Sequence, residues 1–210
     1  MILVDDLGES RVLAWIWGAA AAVTVEDVAA AAERIRRADL LVLGLEVDAG
    51  VSVAAARFAR EAGVKVLWNA APPVGFPEEI FSLADILLVN DVEAAALFGR
   101  PVEGRAVARD AALAFCRRGV SVAIVTLGPQ GLVAAEGTRL IDLPAHPGRA
   151  VDATGAGDAF CGALAAELAA GAGLDAALRF ANAAGGLAVG VLGAEPSIPR
   201  REEVLRALNP

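Results

Sequence analysis

Residues 64–99, VKVLWNAAPPVGFPEEIFSLADILLVNDVEAAALFG, run twice through one alternation, a short apolar segment ending in Asn followed by a helical one. VKVLWN and DILLVN carry apolar residues at consecutive positions, whereas a strand with one wet face alternates apolar with polar. FPEEIFSLA and DVEAAALFG read as helices, the second closed by Gly99. Uniformly apolar strands separated by helices predict an α/β fold with a mainly parallel central sheet, covered by helices on both faces.

The pattern continues outward from this core. Upstream, DLLVLGL reads as another buried strand and VSVAAARFAREAG as a helix ending at Gly63. TVEDVAAAAERIRRA reads as a single helix with Thr24 at its N-cap and an acid at position 27, the spacing of a capping box. The N-terminal MILVDD and RVLAWIW read as a hairpin around LGES, over residues 1–17. Downstream, RDAALAFCRRG is helical, and VSVAIVTLG, GLVAAEG and TRLIDLPA read as strands joined by tight turns. From Ala156 on, the chain is largely helical; Phe160, Leu164 and Leu168 recur every four residues, so a helix starts near Gly157.

Composition narrows the functional classes. At 210 residues and 57% hydrophobic, with no linker or internal repeat, the chain reads as one domain over residues 1–210. The net charge of -8 argues against nucleic acid and anionic lipid, which need clustered Lys and Arg; a small-molecule substrate fits better. Cys116 and Cys161 form no CxxC or Cys/His cluster, and a reducing cytoplasm is the default. The longest uncharged stretches are shorter than the roughly 18 apolar residues of a membrane span, and no basic segment precedes the N-terminal apolar run. His146, in the Pro-flanked loop PAHPG, is expected to be exposed, and Trp15, Trp17 and Trp68 to pack in the core or at an edge.

Open α/β sheets bind ligands at the carboxyl ends of their strands. Polar residues collect there: Glu46 after LLVLGL, Asn69 after VKVLW, Asn90 after DILLV, and Thr126 with Gly128 after VAIV. In VDATGAGDAF, residues 151–160, Gly155 and Gly157 allow close backbone approach to a ligand, and the amides of a helix start can hold phosphate oxygens. Asp158 then sits beside the anion, where like charges repel but a base could take a proton from an attacking hydroxyl. An acid in a first helical turn is also favourable by about 0.3–1 kcal/mol without any catalytic role. Asn90 as a loop cap, Glu93 as a solvated helix residue and Gly128 with Gly131 as turn formers are the corresponding structural readings. No GxxxxGK[ST] occurs, and the glycines do not fit a dinucleotide fingerprint.

DATGAGD resembles the DTxGAGD signature of the ribokinase-like sugar kinases, the PfkB family, with Ala153 in place of the usual Thr. VNDVEAAALFG is similar to that family's NxxE element and VTLGPQG to its TxGxxG turn. The resemblance runs over the whole chain and is closest to the ribokinase branch. It implies a ribokinase-like fold and ATP-dependent phosphorylation of a sugar hydroxyl, with Asp158 as catalytic base and Gly155, Ala156 and Gly157 as anion hole. It implies nucleotide contacts from Asn90, Thr126, Leu127, Gly128, Pro129, Gln130, Gly131, Gly157 and Asn182, and sugar contacts from Glu46 and Asp158. Glu93 would place Mg2+ through water. Asp152, Thr154 and Ser197, with the backbones of Ala188, Val191 and Gly193, match a monovalent cation site taken to hold K+, and such an oxygen-rich set suits a hard cation.

The family's N-terminal third, with its glycine-pair motif and sugar-binding Asn and Asp residues, has no counterpart in the sequence. The chain is therefore expected to correspond to the C-terminal two-thirds of a family member, its first 17 residues to the later lid region. An unpaired sheet edge would favour a homo-oligomer. The alternative to a kinase is a nucleotide-binding or assembly module without phosphotransfer.

Overall fold

The computed structural model describes residues 2–4, 10–12, 16, 18–72 and 75–209. These divide into two compact units, one of residues 17–142 and one of residues 1–16 with 143–210.

In the first unit, Thr24 caps α1 (Val25–Ala30), and the capping box is closed by Asp27, whose carboxylate accepts from the Thr24 N–H at 2.9 Å. The expected single helix instead breaks at Ala31 into α1 and α2 (Ala32–Arg36). β3 (Leu40–Leu43) follows, then α3 (Ala49–Glu61), which starts two residues before the predicted stretch because Asp48 caps it, accepting from the Gly50 N–H at 2.8 Å. β4 (Lys65–Asn69), α4 (Ile80–Leu83), β5 (Ile86–Asn90), α5 (Asp91–Phe98), α6 (Gly104–Arg117), β6 (Val122–Thr126), β7 (Leu132–Glu136) and β8 (Arg139–Leu143) complete it.

Among the described residues, β3 to β8 form one sheet in sequence order. β3, β4, β5 and β6 are parallel neighbours, and the sheet turns antiparallel between β6 and β7. Apolar runs without alternation are explained by burial on both faces. Val66, Trp68, Leu87, Val89, Val125 and Val133 share a cluster with α3 and α6, while Leu67, Leu88, Ile124 and Ala134 on the opposite face are also buried. Phe81, Phe98 and Phe115 join the helices of that cluster, with Phe81 and Phe115 ring centroids 5.8 Å apart. Trp68 is fully buried, as its strand position implied. β3 stands at one edge of this sheet, with Val42 44% exposed.

In the second unit, β1 (Ile2–Val4) pairs antiparallel with β2 (Ser10–Val12), Leu3 opposite Arg11. The predicted hairpin is present, although its LGES turn lies largely, and Trp15 and Trp17 wholly, outside the described residues. α7 (Ala156–Ala169), α8 (Leu174–Ala188) and α9 (Arg201–Leu208) account for the helical tail. Gly185 lets α8 approach α7: a Cβ there would lie 3.2 Å from the Ala156 carbonyl oxygen. Phe180, Ala183 and Ala184 of α8 pack with Val204 of α9. His146 is half-buried rather than exposed, because it lies against Gly186, where a Cβ would stand 2.6 Å from the His146 Cβ.

Gly119 follows α6 at φ +122°, and a Cβ on it would stand 2.8 Å from the Phe81 carbonyl oxygen. Gly119→Ala is expected to cost about 2 kcal/mol or more, through backbone strain plus collision. Gly137, at φ +59° with open space around it, supplies the control. Gly137→Ala should cost only about 1 kcal/mol; urea melts of the two variants check the difference.

Candidate active site

The parallel strands deliver the predicted polar residues to one edge of the sheet. Asn69 ends β4, Asn90 ends β5 and Thr126 ends β6, with Asn90 and Thr126 paired directly in register. Glu46 follows β3 and is exposed. Thr126 Oγ1 donates to the Val89 carbonyl at 3.4 Å. Beyond it, Gly128–Gln130 form a 3₁₀ turn closed by Leu127 N–H to the Gly131 oxygen at 2.7 Å and Gly131 N–H to the Gly128 oxygen at 2.9 Å. Gly128 and Gly131 adopt φ +51° and +83°, the left-handed region that favours glycine. Leu127 is buried beneath this turn, while Gly128, Pro129 and Gln130 are exposed.

Asn90 and Glu93 form a reciprocal cap at the start of α5. Asn90 Oδ1 accepts from the Glu93 N–H at 2.8 Å, and Glu93 Oε2 accepts from the Asn90 N–H at 2.8 Å. Asn90 is thus a cap, as its structural reading had it, but Glu93 is not solvated: it is 8% exposed. Burial pushes its carboxyl up to about 7, against the lowering effect of the Asn90 N–H, and the nearby charge of Asp91 adds to the rise.

In the second unit, Gly155 precedes α7 at φ +80°, where a Cβ would sit 3.1 Å from Ala194 Cα. The polypeptide alone therefore explains Gly155. It does not explain Gly157, whose φ is not positive and whose Cβ position meets nothing within 4 Å. The Ala156 N–H reaches the Ala153 carbonyl at 3.2 Å, while those of Gly157 and Asp158 have no acceptor among the described residues. Asp158 is exposed and caps nothing. Cys161, one turn on, is an inert thiol: burial, with the Asp158 charge adding to it, pushes it up to about 11.

Of the residues expected to hold a monovalent cation, Asp152, 2% exposed, is joined by Thr154 and Gly193. Its oxygens accept from the N–H groups of Thr154 at 2.9 Å and Gly193 at 2.8 Å, and no basic side chain pairs with it among the described residues. Thr154 Oγ1 is buried and makes no hydrogen bond of good geometry among the described residues, yet it lies near enough to Asp152 to be the leading influence, ahead of the Thr154 and Gly193 N–H groups, that holds that carboxyl below its usual range. Ser197, 3% exposed, donates to the Ala194 oxygen at 2.6 Å. A buried carboxylate with no cationic partner among the described residues fits a bound cation. The Asn182 Nδ2 donates to the Pro144 carbonyl at 2.8 Å. No cluster of three His, Cys, Asp or Glu side chains able to hold a metal occurs among the described residues, and no helix there is long and apolar enough to cross a membrane.

A parallel sheet whose strands end in a polar rim and a glycine turn is of the open α/β class that binds ligands at the carboxyl ends of its strands. The family model for pfkB carbohydrate kinases matches residues 1–201, and the chain belongs to that family. It is 35% identical over 204 residues to ribokinase of Staphylococcus aureus, covering 97% of this chain and 67% of that protein. It is 35% identical over 209 residues to the bifunctional ribokinase/ribose-5-phosphate isomerase A of Fructilactobacillus sanfranciscensis, covering 99% of this chain and 38% of that protein. The solved Arabidopsis thaliana ribokinase complexed with ribose and ATP superposes with a TM-score of 0.86 at 30% identity, over 99% of this chain and 68% of that one. The chain is thus shorter than these relatives, and its fold is ribokinase-like.

Glu93 sets a pH dependence for the metal-free protein. Its ordinary value is 4.5 and its folded value about 7, so between these the unfolded chain releases a proton that the folded chain keeps. Stability should fall as pH rises through that window, by about 3 kcal/mol, and level off above it. Glu93→Gln keeps the cap acceptor and cannot ionise. Its unfolding free energy, measured by urea titration from pH 4 to pH 8 (about the two reference limits), should lack this slope.

Proposed function

We propose that this chain carries the nucleotide-binding and phosphoryl-transfer machinery of an ATP-dependent sugar kinase acting on a sugar hydroxyl, with ribose the first candidate. One observation carries the reading: among the described residues Asp158 is an exposed carboxylate without a hydrogen-bond partner, at a helix start whose Gly157 and Asp158 amides find no acceptor there. Asp158 takes the proton of the sugar hydroxyl as that oxygen bonds to the γ-phosphorus. The bond from γ-phosphorus to its bridging oxygen breaks, and ADP departs with the electron pair. The amides of the Gly155–Gly157 segment, aided by the helix dipole, stabilise charge on the transferring group.

Asn90, the Thr126–Gly131 segment and Asn182 serve the nucleotide in this reading, and Glu46 the sugar. Glu93 is the group that would place Mg2+ through water. Asp152, Thr154, Ser197 and the carbonyls of Ala188, Val191 and Gly193 are those that would hold K+. Bound there, these ions would neutralise phosphate charge and order the loop ahead of α7. Residues 1–210 act as a single kinase domain, and the setting is cytoplasmic.

Two measurements test the reading. Mg·ADP should stabilise the chain by about 2.7 kcal/mol at a hundredfold excess over Kd, visible as a raised Tm. With the N-terminal third of the S. aureus ribokinase joined to it, Asp158→Asn should lower ribose phosphorylation at least about 10²-fold while leaving ADP affinity unchanged. Full turnover in the folded variant would remove Asp158 from the chemistry. ADP binding with no phosphotransfer in any such chain would mark a nucleotide-binding module instead.

Self-association belongs to the same reading, supported by the exposed Val42 on the edge strand β3. Light scattering is expected to give a dimer or larger species, and a monomer at high concentration would exclude it.

A further inference from the structure

We propose that Arg105 is a positioning residue for nucleotide binding, holding the 128–131 turn from outside through a relay of Arg109 and Asp142. This rests on the reading of that turn as part of the nucleotide site. The turn is closed by its own backbone bonds, Leu127 to Gly131 and Gly131 to Gly128. Those bonds fix its internal shape, while its exposed tip, Gly128 to Gln130, lies beyond the last paired residues of β6 and β7. Arg105 anchors that tip to its surroundings: its Nη2 donates to the Gln130 carbonyl, and its Nη1 donates to Asp142 Oδ1 at 3.3 Å. Arg109, one helical turn along α6, grips the same carboxylate with both arms, Nε to Oδ2 at 3.1 Å and Nη2 to Oδ1 at 3.0 Å. Asp142 on β8 is thereby oriented toward Arg105, and the turn is tied to both a helix and a strand.

The residue type matters here. A guanidinium presents planar, forked donors that can serve a carboxylate and a carbonyl on different elements at once, whereas a lysine ammonium cannot span both in one geometry. The exposure of the pair also matters. The side chains of Arg105 and Asp142 are each 28% exposed, and with Arg109 they form a part-buried charge network whose loss costs stability as well as position, so affinity has to be read separately from melting temperature. A residue that positions a binding turn leaves a distinct signature: its loss weakens the ligand at temperatures where the variant is fully folded, beyond any fall in melting temperature.

Calorimetric titration of Mg·ADP into the chain, at a temperature well below the melt, tests this with Arg105→Met, Arg105→Lys and Arg109→Met. Arg105→Met is expected to weaken ADP at least about tenfold at a temperature where the variant is fully folded, with faster amide exchange at Leu127 and Gly131 than at amides elsewhere in the sheet. Arg105→Lys should recover only part of the loss, and Arg109→Met should lose less than Arg105→Met. Wild-type affinity in Arg105→Met overturns the proposal. So does an equal loss in Arg109→Met accompanied by a matching fall in unliganded Tm, which would mean ordinary structural support. Should Arg105→Met fail to fold, Arg105→Lys decides, and wild-type affinity in that variant overturns the proposal. A wild-type chain that takes up no Mg·ADP overturns both the nucleotide reading and this inference, and is recognised because no variant is needed to see it.

Discussion

Parallel pairing of β5 with β6 in the register that sets Asn90 beside Thr126 is the constraint on which the geometry of the nucleotide-side residues depends. Parallel strands run the same way, so their carboxyl ends must emerge on one edge, and each strand that joins the sheet in this sense adds a polar terminus to it. The pairing needs burial on both faces, which Leu87 and Val89 supply on one side and Leu88 on the other. Where the sheet changes sense, between β6 and β7, the chain must reverse tightly at that same edge. The positive φ angles of Gly128 and Gly131 make the reversal possible. Strand direction thus puts the NxxE cap and the glycine turn side by side without any contact between their side chains being required.

Two buried carboxylates show how differently the fold treats similar groups. Glu93 receives a backbone N–H from Asn90, and that is too little to offset the loss of water, so its carboxyl titrates near neutrality. Asp152 receives two N–H groups, from Thr154 and Gly193, drawn from segments far apart in sequence. The second arrangement ties the loop ahead of α7 to the segment after α8 through a single side chain. With the Thr154 hydroxyl close by, these donors hold the Asp152 carboxyl below its usual range. One acid is tuned by desolvation, the other by donors.

Much of this was legible in the sequence because it rests on local chemistry. The consecutive apolar residues of VKVLWN and DILLVN announced strands buried on both faces, Thr24 with position 27 announced a capping box, and Gly99 a helix end. The Phe160 and Leu164 stripe announced α7, whose observed start at Ala156 differs from the expected one by a residue. The break between α1 and α2 was not legible. Nothing in the run of alanines around Ala31 marks it, and a helix of good formers can be interrupted by its surroundings at little intrinsic cost. The placing of His146 failed for a related reason: a polar residue in a proline-flanked loop is ordinarily wet, and only the absence of a side chain on Gly186, forty residues away in the chain, lets it pack.

By itself, then, the sequence determined which segments are strands and helices, which polar residues end the strands, and the motifs that mark the family, since each depends on residues within a few positions of one another. Only the tertiary structure decided the burial of Glu93, the two-donor cage around Asp152 and the tie from Arg105 to Gln130 and Asp142. Burial and charge pairing depend on groups brought together by folding, and no periodicity along the chain records which distant carbonyl or carboxylate a guanidinium will meet.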